Sequence, residues 1–182
     1  PTEDEVLTAA NTLADEDVLG TITYTWSNGD TGSTTTLGQS DVGNAITVTA
    51  SYTDGQNTAE SSTSAATTAV ANVNDDPTIT STAVTSATED AAYSYTVVGN
   101  DVDGDTLTMV GTTVPSWMAF DTTTGALTGT PGDADIGDHS VVITVSDASV
   151  SVTDSFTISV ANVNDAPAGS SVTNTLCSLT TA

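Results

Sequence analysis

Val70-Ala71-Asn72-Val73-Asn74-Asp75-Asp76-Pro77 returns 90 residues later as Val160-Ala161-Asn162-Val163-Asn164-Asp165-Ala166-Pro167, with seven of the eight positions identical. A repeat at that spacing marks tandem domains, and the octet lies where one ends and the next begins. Val alternates with Asn, then Asp and Pro follow. A strand therefore runs out into a short, oxygen-rich linker that Pro stiffens. Asn and Asp offer carbonyl and carboxylate oxygens, the hard ligands that suit calcium.

The octets divide the 182 residues into a first module, 1–76, a second, 77–166, and a remainder, 167–182. The remainder, which carries the single cysteine Cys177, is expected to be the stub of a following module or a disordered tail. The chain reads as an internal piece of something longer. Each module is small enough to gain from a staple beyond its own core.

Charge supplies a reason for one. The chain has 24 acids, no Lys and no Arg, and its only basic side chain is His139. The acids cluster at Glu3-Asp4-Glu5, Asp15-Glu16-Asp17, Asp75-Asp76, Glu89-Asp90, Asp101/Asp103/Asp105 and Asp133/Asp135/Asp138. Like charges this close oppose compaction, so external cations must offset them, either bound divalent metal or concentrated salt. Because the clusters fall in turns, bound metal is the preferred reading. A net charge of −24 argues against nucleic acid and anionic membranes as partners. No run is long enough to cross a membrane, and one cysteine allows no internal disulfide.

Strands are read from alternation. Ile22, Tyr24 and Trp26 share one face of Thr21–Trp26, and Asn28-Gly29 follows as a hairpin turn. Ala45–Tyr52 and Glu60–Val73 complete the first module. Ala92–Val98, Thr106–Val110, Ser140–Asp147 and Ser155–Val160 are the clearest strands of the second, with Pro115-Ser116-Trp117-Met118-Ala119-Phe120 expected to plug its core. Nothing sustains a helical period. Short strands with turns every 8–12 residues predict an all-β chain of two tandem antiparallel β-sandwiches.

Asp101-x-Asp103-x-Asp105 sets three carboxylates on one loop, with Gly104 permitting a tight bend. One loop cannot supply the roughly 6–8 oxygens calcium takes, so other segments must join it. It is not an EF-hand: the Gly comes too early and no Glu stands at the twelfth position. His139 between Asp138 and Ser140 lacks a nucleophile elbow and an oxyanion-hole signal, so no enzymatic activity is expected. Trp26 and Trp117 are read as sandwich residues before sugar-stacking platforms.

The second module resembles dystroglycan-type cadherin-like and bacterial Ig domains. The resemblance is carried by Glu89-Asp90, Asp101-Val102-Asp103-Gly104-Asp105, the stretch from Pro115 through Asp121, Gly125, Leu127 and Gly129-Thr130-Pro131, Val145-Ser146-Asp147, and Val163 to Pro167. The first resembles the Ig-like repeats of giant RTX-type bacterial surface adhesins through Leu13-Ala14-Asp15, Asp17, Leu19-Gly20, Tyr24-x-Trp26, Asp41-Val42-Gly43 and Ser51 to Gly55.

That resemblance implies two tandem Ig-like/cadherin-like antiparallel β-sandwiches with Ca2+ between modules. The central joint would draw on Glu3, Asn72, Asn74, Asp75, Asp101, Asp103 and Asp147. The next would use Glu89, Asp133 or Asp135, Asn164 and Asp165, and Asp15, Asp17 and Asp54 would face a preceding module. It further implies a calcium-rigidified extender of a secreted or cell-surface bacterial adhesin, holding out a distal binding domain. The alternatives are an S-layer or extracellular matrix filament subunit and a calcium-dependent carbohydrate-binding module. The expected partners are neighbouring modules of the same chain, with other copies of the chain or surface glycans as further candidates, and no direct membrane insertion.

Overall fold

The computed structural model describes residues 1–166. In chain order the strands are β1 (Val6–Thr8), β2 (Thr23–Trp26), β3 (Thr34–Thr36), β4 (Val48–Thr53), β5 (Ala59–Thr63), β6 (Thr78–Ile79), β7 (Ser86–Thr88), β8 (Tyr93–Thr96), β9 (Gly99–Asn100), β10 (Thr108–Thr113), β11 (Met118–Phe120), β12 (Ala126–Gly129), β13 (Gly137–Ser146) and β14 (Ser151–Ala161). The helical segments among the described residues are two 3-10 turns, Gln39–Asp41 and Asp133–Asp135. The fold is all-β, of the Ig-like/cadherin-like sandwich class. No helix among the described residues is long and apolar enough to cross a membrane.

By its contacts the chain divides into two compact units. One comprises Pro1–Ser81, Val98–Val110 and Thr144–Thr153; the other comprises Thr82–Val97, Gly111–Ile143 and the residues from Asp154 on. In the first unit β1 pairs with β3, β6 pairs with β9, and β2, β4 and β5 form a sheet in that order, all antiparallel. In the second, β11, β12 and β8 form an antiparallel sheet. A four-stranded sheet runs in the order β10-β13-β14-β7.

One pairing recurs. An early segment of each repeat lies parallel to the stretch that closes it: Thr2 bridges Ala71, and β7 pairs with the end of β14, Ala87 opposite Val160. The octet's Val-Ala step thus makes the closing pairing in both copies, as the end of β14 in the second and as single bridges in the first.

The first unit's core is Trp26, Leu37, Ile46 and Val70, with Leu7, Ala9, Val42 and Val48 packed against it. The predicted face is the one buried: along β2, Tyr24 is half-buried and Trp26 buried while the threonines are exposed. Trp26 donates its ring N–H to the Gly32 carbonyl (2.9 Å), so burial leaves no orphan donor. In the second unit Leu127, Val141, Ile143 and Ile158 are fully enclosed.

Two expectations are corrected. Pro115–Phe120 does not plug a core; Trp117, Met118 and Phe120 are only half-buried. Trp117 instead stands edge-on to Tyr93 and to His139, with ring centroids at 6.0 and 5.9 Å. The β-branched residues of β13 and β14 pack at smaller volume per residue and take the interior. The strand expected over Glu60–Val73 ends at Thr63; afterwards only single bridges at Ala69, Val70 and Ala71 rejoin the ladder. That stretch is Ser/Thr/Ala-rich, and its side chains offer too little apolar surface to hold a continuous strand face. The expected stub at 167–182 lies outside the described residues.

Candidate metal centres

Glu3, Asp75 and Asp103 bring their carboxylates within 4.8 Å of one another. Each is placed by backbone. Glu3 is held by its N–H donating to Ala71 O (2.9 Å), a bond of the parallel bridge, and it is only 6% exposed. The linker folds back because the Asp75 N–H donates to Asp103 Oδ2 (2.7 Å). Asn74 donates through its side chain to Asp147 Oδ2 (2.9 Å), while Asp147 Oδ1 accepts the N–H groups of Ser149 (2.7 Å) and Val150 (2.6 Å).

Asp103 also belongs to a second group, with Asp101 and Asp105 again within 4.8 Å. Gly104, at φ +77°, turns the chain in the left-handed region, which a side chain would resist, and this curls the three carboxylates inward. Asp101 Oδ2 and Asp103 Oδ1 are buried with no hydrogen-bond partner. Buried polar atoms are normally paired, so orphaned anionic oxygens on two members of one group fit a cation.

The electrostatics agree with that geometry. Burial raises Glu3 above the ordinary carboxylate range, and the charges of Asp75, Asp103 and Asp4 add to it against the Val73 N–H. Burial and the charges of Asp103, Asp4, Asp101 and Asp76 raise Asp75. Asp147, by contrast, is lowered by the Val150 N–H and the Asn74 amide. A site that protonates reluctantly ionised acids is one that a divalent ion would relieve.

The second copy sits at Glu89, Asp133 and Asp165, also within 4.8 Å. Glu89 is 2% exposed. Its Oε2 accepts Val163 N–H (3.0 Å) and the Asn162 amide (3.2 Å), whereas Oε1 is buried and unpartnered. The Val163 N–H pulls Glu89 downward, but a proton-sharing contact with Asp133, burial, and the charges of Asp133 and Asp165 together raise it. Asn164 folds onto the carbonyl of Asp165 (3.3 Å), as Asn74 does onto that of Asp75 (3.0 Å). Of the two alternatives, Asp133 joins this group; Asp135 turns its Oδ2 back onto the Gly132 N–H (3.0 Å).

A fourth group joins Asp15, Asp54 and Glu60. Asp17 is not in it: its N–H donates to Asp15 Oδ1 (2.8 Å) and its carbonyl accepts the Gly55 N–H (3.0 Å), so it shapes the loop through its backbone. Glu60, missed in the sequence, takes its place because β4 and β5 pair with Tyr52 opposite Glu60. The Tyr52 hydroxyl lies 2.7 Å from Glu60 Oε2 and 3.2 Å from Asp15 Oδ2, and these contacts push the phenol well above its usual range. Asn72 is exposed. Its repeat counterpart Asn162, not singled out in the sequence, is the one that bonds Glu89. Asp105 was visible on its loop but not assigned to a joint.

Elsewhere, His139 places Nε2 2.6 Å from the Asp135 carbonyl oxygen and packs against Trp117.

Residues 76–161 match the model of the family described as "Putative Ig domain", which supports the Ig-like reading of that stretch. Similar solved structures include an endo-fucoidan hydrolase from glycoside hydrolase family 107, at 25% identity and a TM-score of 0.45 over 82% of this chain and 24% of that one. Human protocadherin-24 EC1-2 is similar at 24% identity and 0.39, over 49% of this chain and 44% of that one. Protocadherin gamma B2 extracellular cadherin domains 1–5 are similar at 12% identity and 0.47, over 91% and 38%. The chain spans less than half the length of each. No curated protein matches it.

Proposed function

We propose that this chain is a non-catalytic extender segment of a secreted or cell-surface bacterial adhesin, stiffened by calcium at its linker. The observation that carries the reading is the convergence of Glu3, Asp75 and Asp103, from three stretches distant in sequence, in a chain with no Lys or Arg to neutralise them. The donor set is all oxygen, which suits calcium and disfavours softer metals.

Calcium, when bound, supplies the positive charge the chain lacks. Glu3 and Asp75 would hold it on one side and Asp101, Asp103 and Asp105 on the other. Asn74 and Asp147 act beside them, pinning the linker so that Asp75 cannot swing away. Without metal the same carboxylates repel and the linker is free to bend. The neighbouring modules of the same chain are the partners this role requires.

The test is small-angle scattering of the 182-residue chain, with calcium and after its removal. A longer, stiffer particle with calcium, reversed by chelation, is expected. Identical scattering curves, with no heat of calcium binding by calorimetry, would remove the reading.

A further inference from the structure

The chain builds one turn twice, and only one copy carries its acid. Leu37-Gly38-Gln39-Ser40-Asp41-Val42-Gly43 and Pro131-Gly132-Asp133-Ala134-Asp135-Ile136-Gly137 each contain a three-residue 3-10 turn that follows an extended glycine, φ −123° at Gly38 and −112° at Gly132. In each, the third residue of the turn closes it: Asp41 Oδ2 accepts the Gly38 N–H and Asp135 Oδ2 the Gly132 N–H, both at 3.0 Å. Each segment ends on a left-handed glycine, Gly43 at +80° and Gly137 at +113°.

The turns are also tied to the same neighbour. The carbonyls of Leu37 and Pro131 accept the N–H groups of Asp4 and Asp90, both at 2.9 Å. Asp4 and Asp90 share the left-handed region, at +61° and +59°. Beside them stand Glu3 and Glu89, whose N–H groups donate to Ala71 O (2.9 Å) and Ala161 O (3.0 Å). Gln39 therefore holds, with respect to Glu3, the position that Asp133 holds with respect to Glu89, and Asp133 reaches to within 4.8 Å of Glu89.

An independent observation agrees. Gln39 Oε1 is buried and has no hydrogen-bond partner. A buried amide oxygen left without a donor is a hard, neutral ligand of the kind calcium takes. We infer that Gln39 is a metal ligand of the Glu3–Asp75–Asp103 site, supplying an uncharged oxygen where the second copy of the turn supplies a carboxylate. This rests on the calcium reading above. It also makes the site one negative charge poorer than its turn geometry would accept, so restoring the acid tightens binding.

The test is calorimetric titration of calcium chloride into the full chain carrying Glu89→Gln, which silences the second copy. Gln39→Leu, Gln39→Asp and Asp103→Asn are then compared in that background, with melting recorded in chelator. Gln39→Leu weakens binding by at least about tenfold, the lower end of the loss when even a group supporting a ligand is removed; Gln39→Asp tightens it. If the parent binds no calcium, the calcium reading itself fails. If the parent binds, Asp103→Asn does not, and Gln39→Leu binds as the parent does, the inference about Gln39 is overturned and the calcium reading stands. Should Gln39→Leu fail to fold, Gln39→Asp decides: affinity equal to or below the parent's overturns the inference.

Discussion

Asp103 is the carboxylate common to two groups, with Glu3 and Asp75 on one side and Asp101 and Asp105 on the other. Asp103→Asn removes a charge from both; Asp105→Asn removes one from a single group. The two variants have the same chemistry and sit two residues apart, so they isolate position. Calcium at a hundred times its dissociation constant stabilises a one-site protein by about 2.7 kcal/mol. For a domain of this size each kcal/mol moves the melting temperature by roughly 4–8 °C, so the wild type should gain about 11–22 °C over its chelated form. A tenfold weaker site costs about 1.4 kcal/mol, which is half of that gain. In the Glu89→Gln background, which silences the second copy, Asp105→Asn is expected to keep about half the calcium-induced rise and Asp103→Asn to lose nearly all of it. In chelator both variants should melt no lower than wild type, because each removes a repelling charge. Scanning calorimetry with calcium and with chelator reads all three proteins. A larger loss of the rise in Asp105→Asn than in Asp103→Asn, or equal destabilisation of both variants with and without calcium, would rule out Asp103 as the shared ligand.

Two further outcomes follow from the same structure. Glu3, Asp75 and Glu89 hold protons more tightly in the folded chain than their ordinary values of 4.5, 3.8 and 4.5 imply; the folded state therefore binds more protons just above those values, and stability falls as pH rises through the raised range. The lowered Asp147 and Asp121 act oppositely, their contribution being lost as pH falls below 3.8. Metal-free protein should thus melt highest in mild acid and lower toward neutrality; a melting temperature that stays flat or rises as pH is raised from 4.5, the ordinary value for Glu3 and Glu89, toward neutrality would contradict this. Separately, Leu127 is fully enclosed, so Leu127→Ala should cost about 2–5 kcal/mol, seen as a lower urea midpoint at unchanged slope.

How much of this was legible in the sequence varies with the range of the interaction involved. The octet announced the closing pairings, because Val-Ala before Asn is apolar pattern followed by a break, and that is local. The loop around Gly104 was legible for the same reason. Glu60 was not, because what brings it to Asp15 and Asp54 is the register of β4 on β5, which no single segment encodes. Asp133 and Asp135 were indistinguishable on a turn where both are acidic; the closing bond to Gly132 separates them only in three dimensions. Gln39 was hidden because its counterpart differs in charge, and only matching backbone reveals the pair. Trp117 misled because bulk suggests an interior, whereas that space is taken by Tyr93, Tyr95, Leu127 and the β-branched residues of β13 and β14.

The parallel pairing of opening and closing segments, Thr2 with Ala71 and β7 with β14, carries a mechanical consequence. Parallel neighbours run in the same direction, so the polypeptide enters at one pole of each repeat and departs from the other. Tension applied through the two termini then pulls these partners past each other lengthwise. Their evenly spaced hydrogen bonds share the load together instead of parting one after another, as they would in a hairpin peeled from its open end.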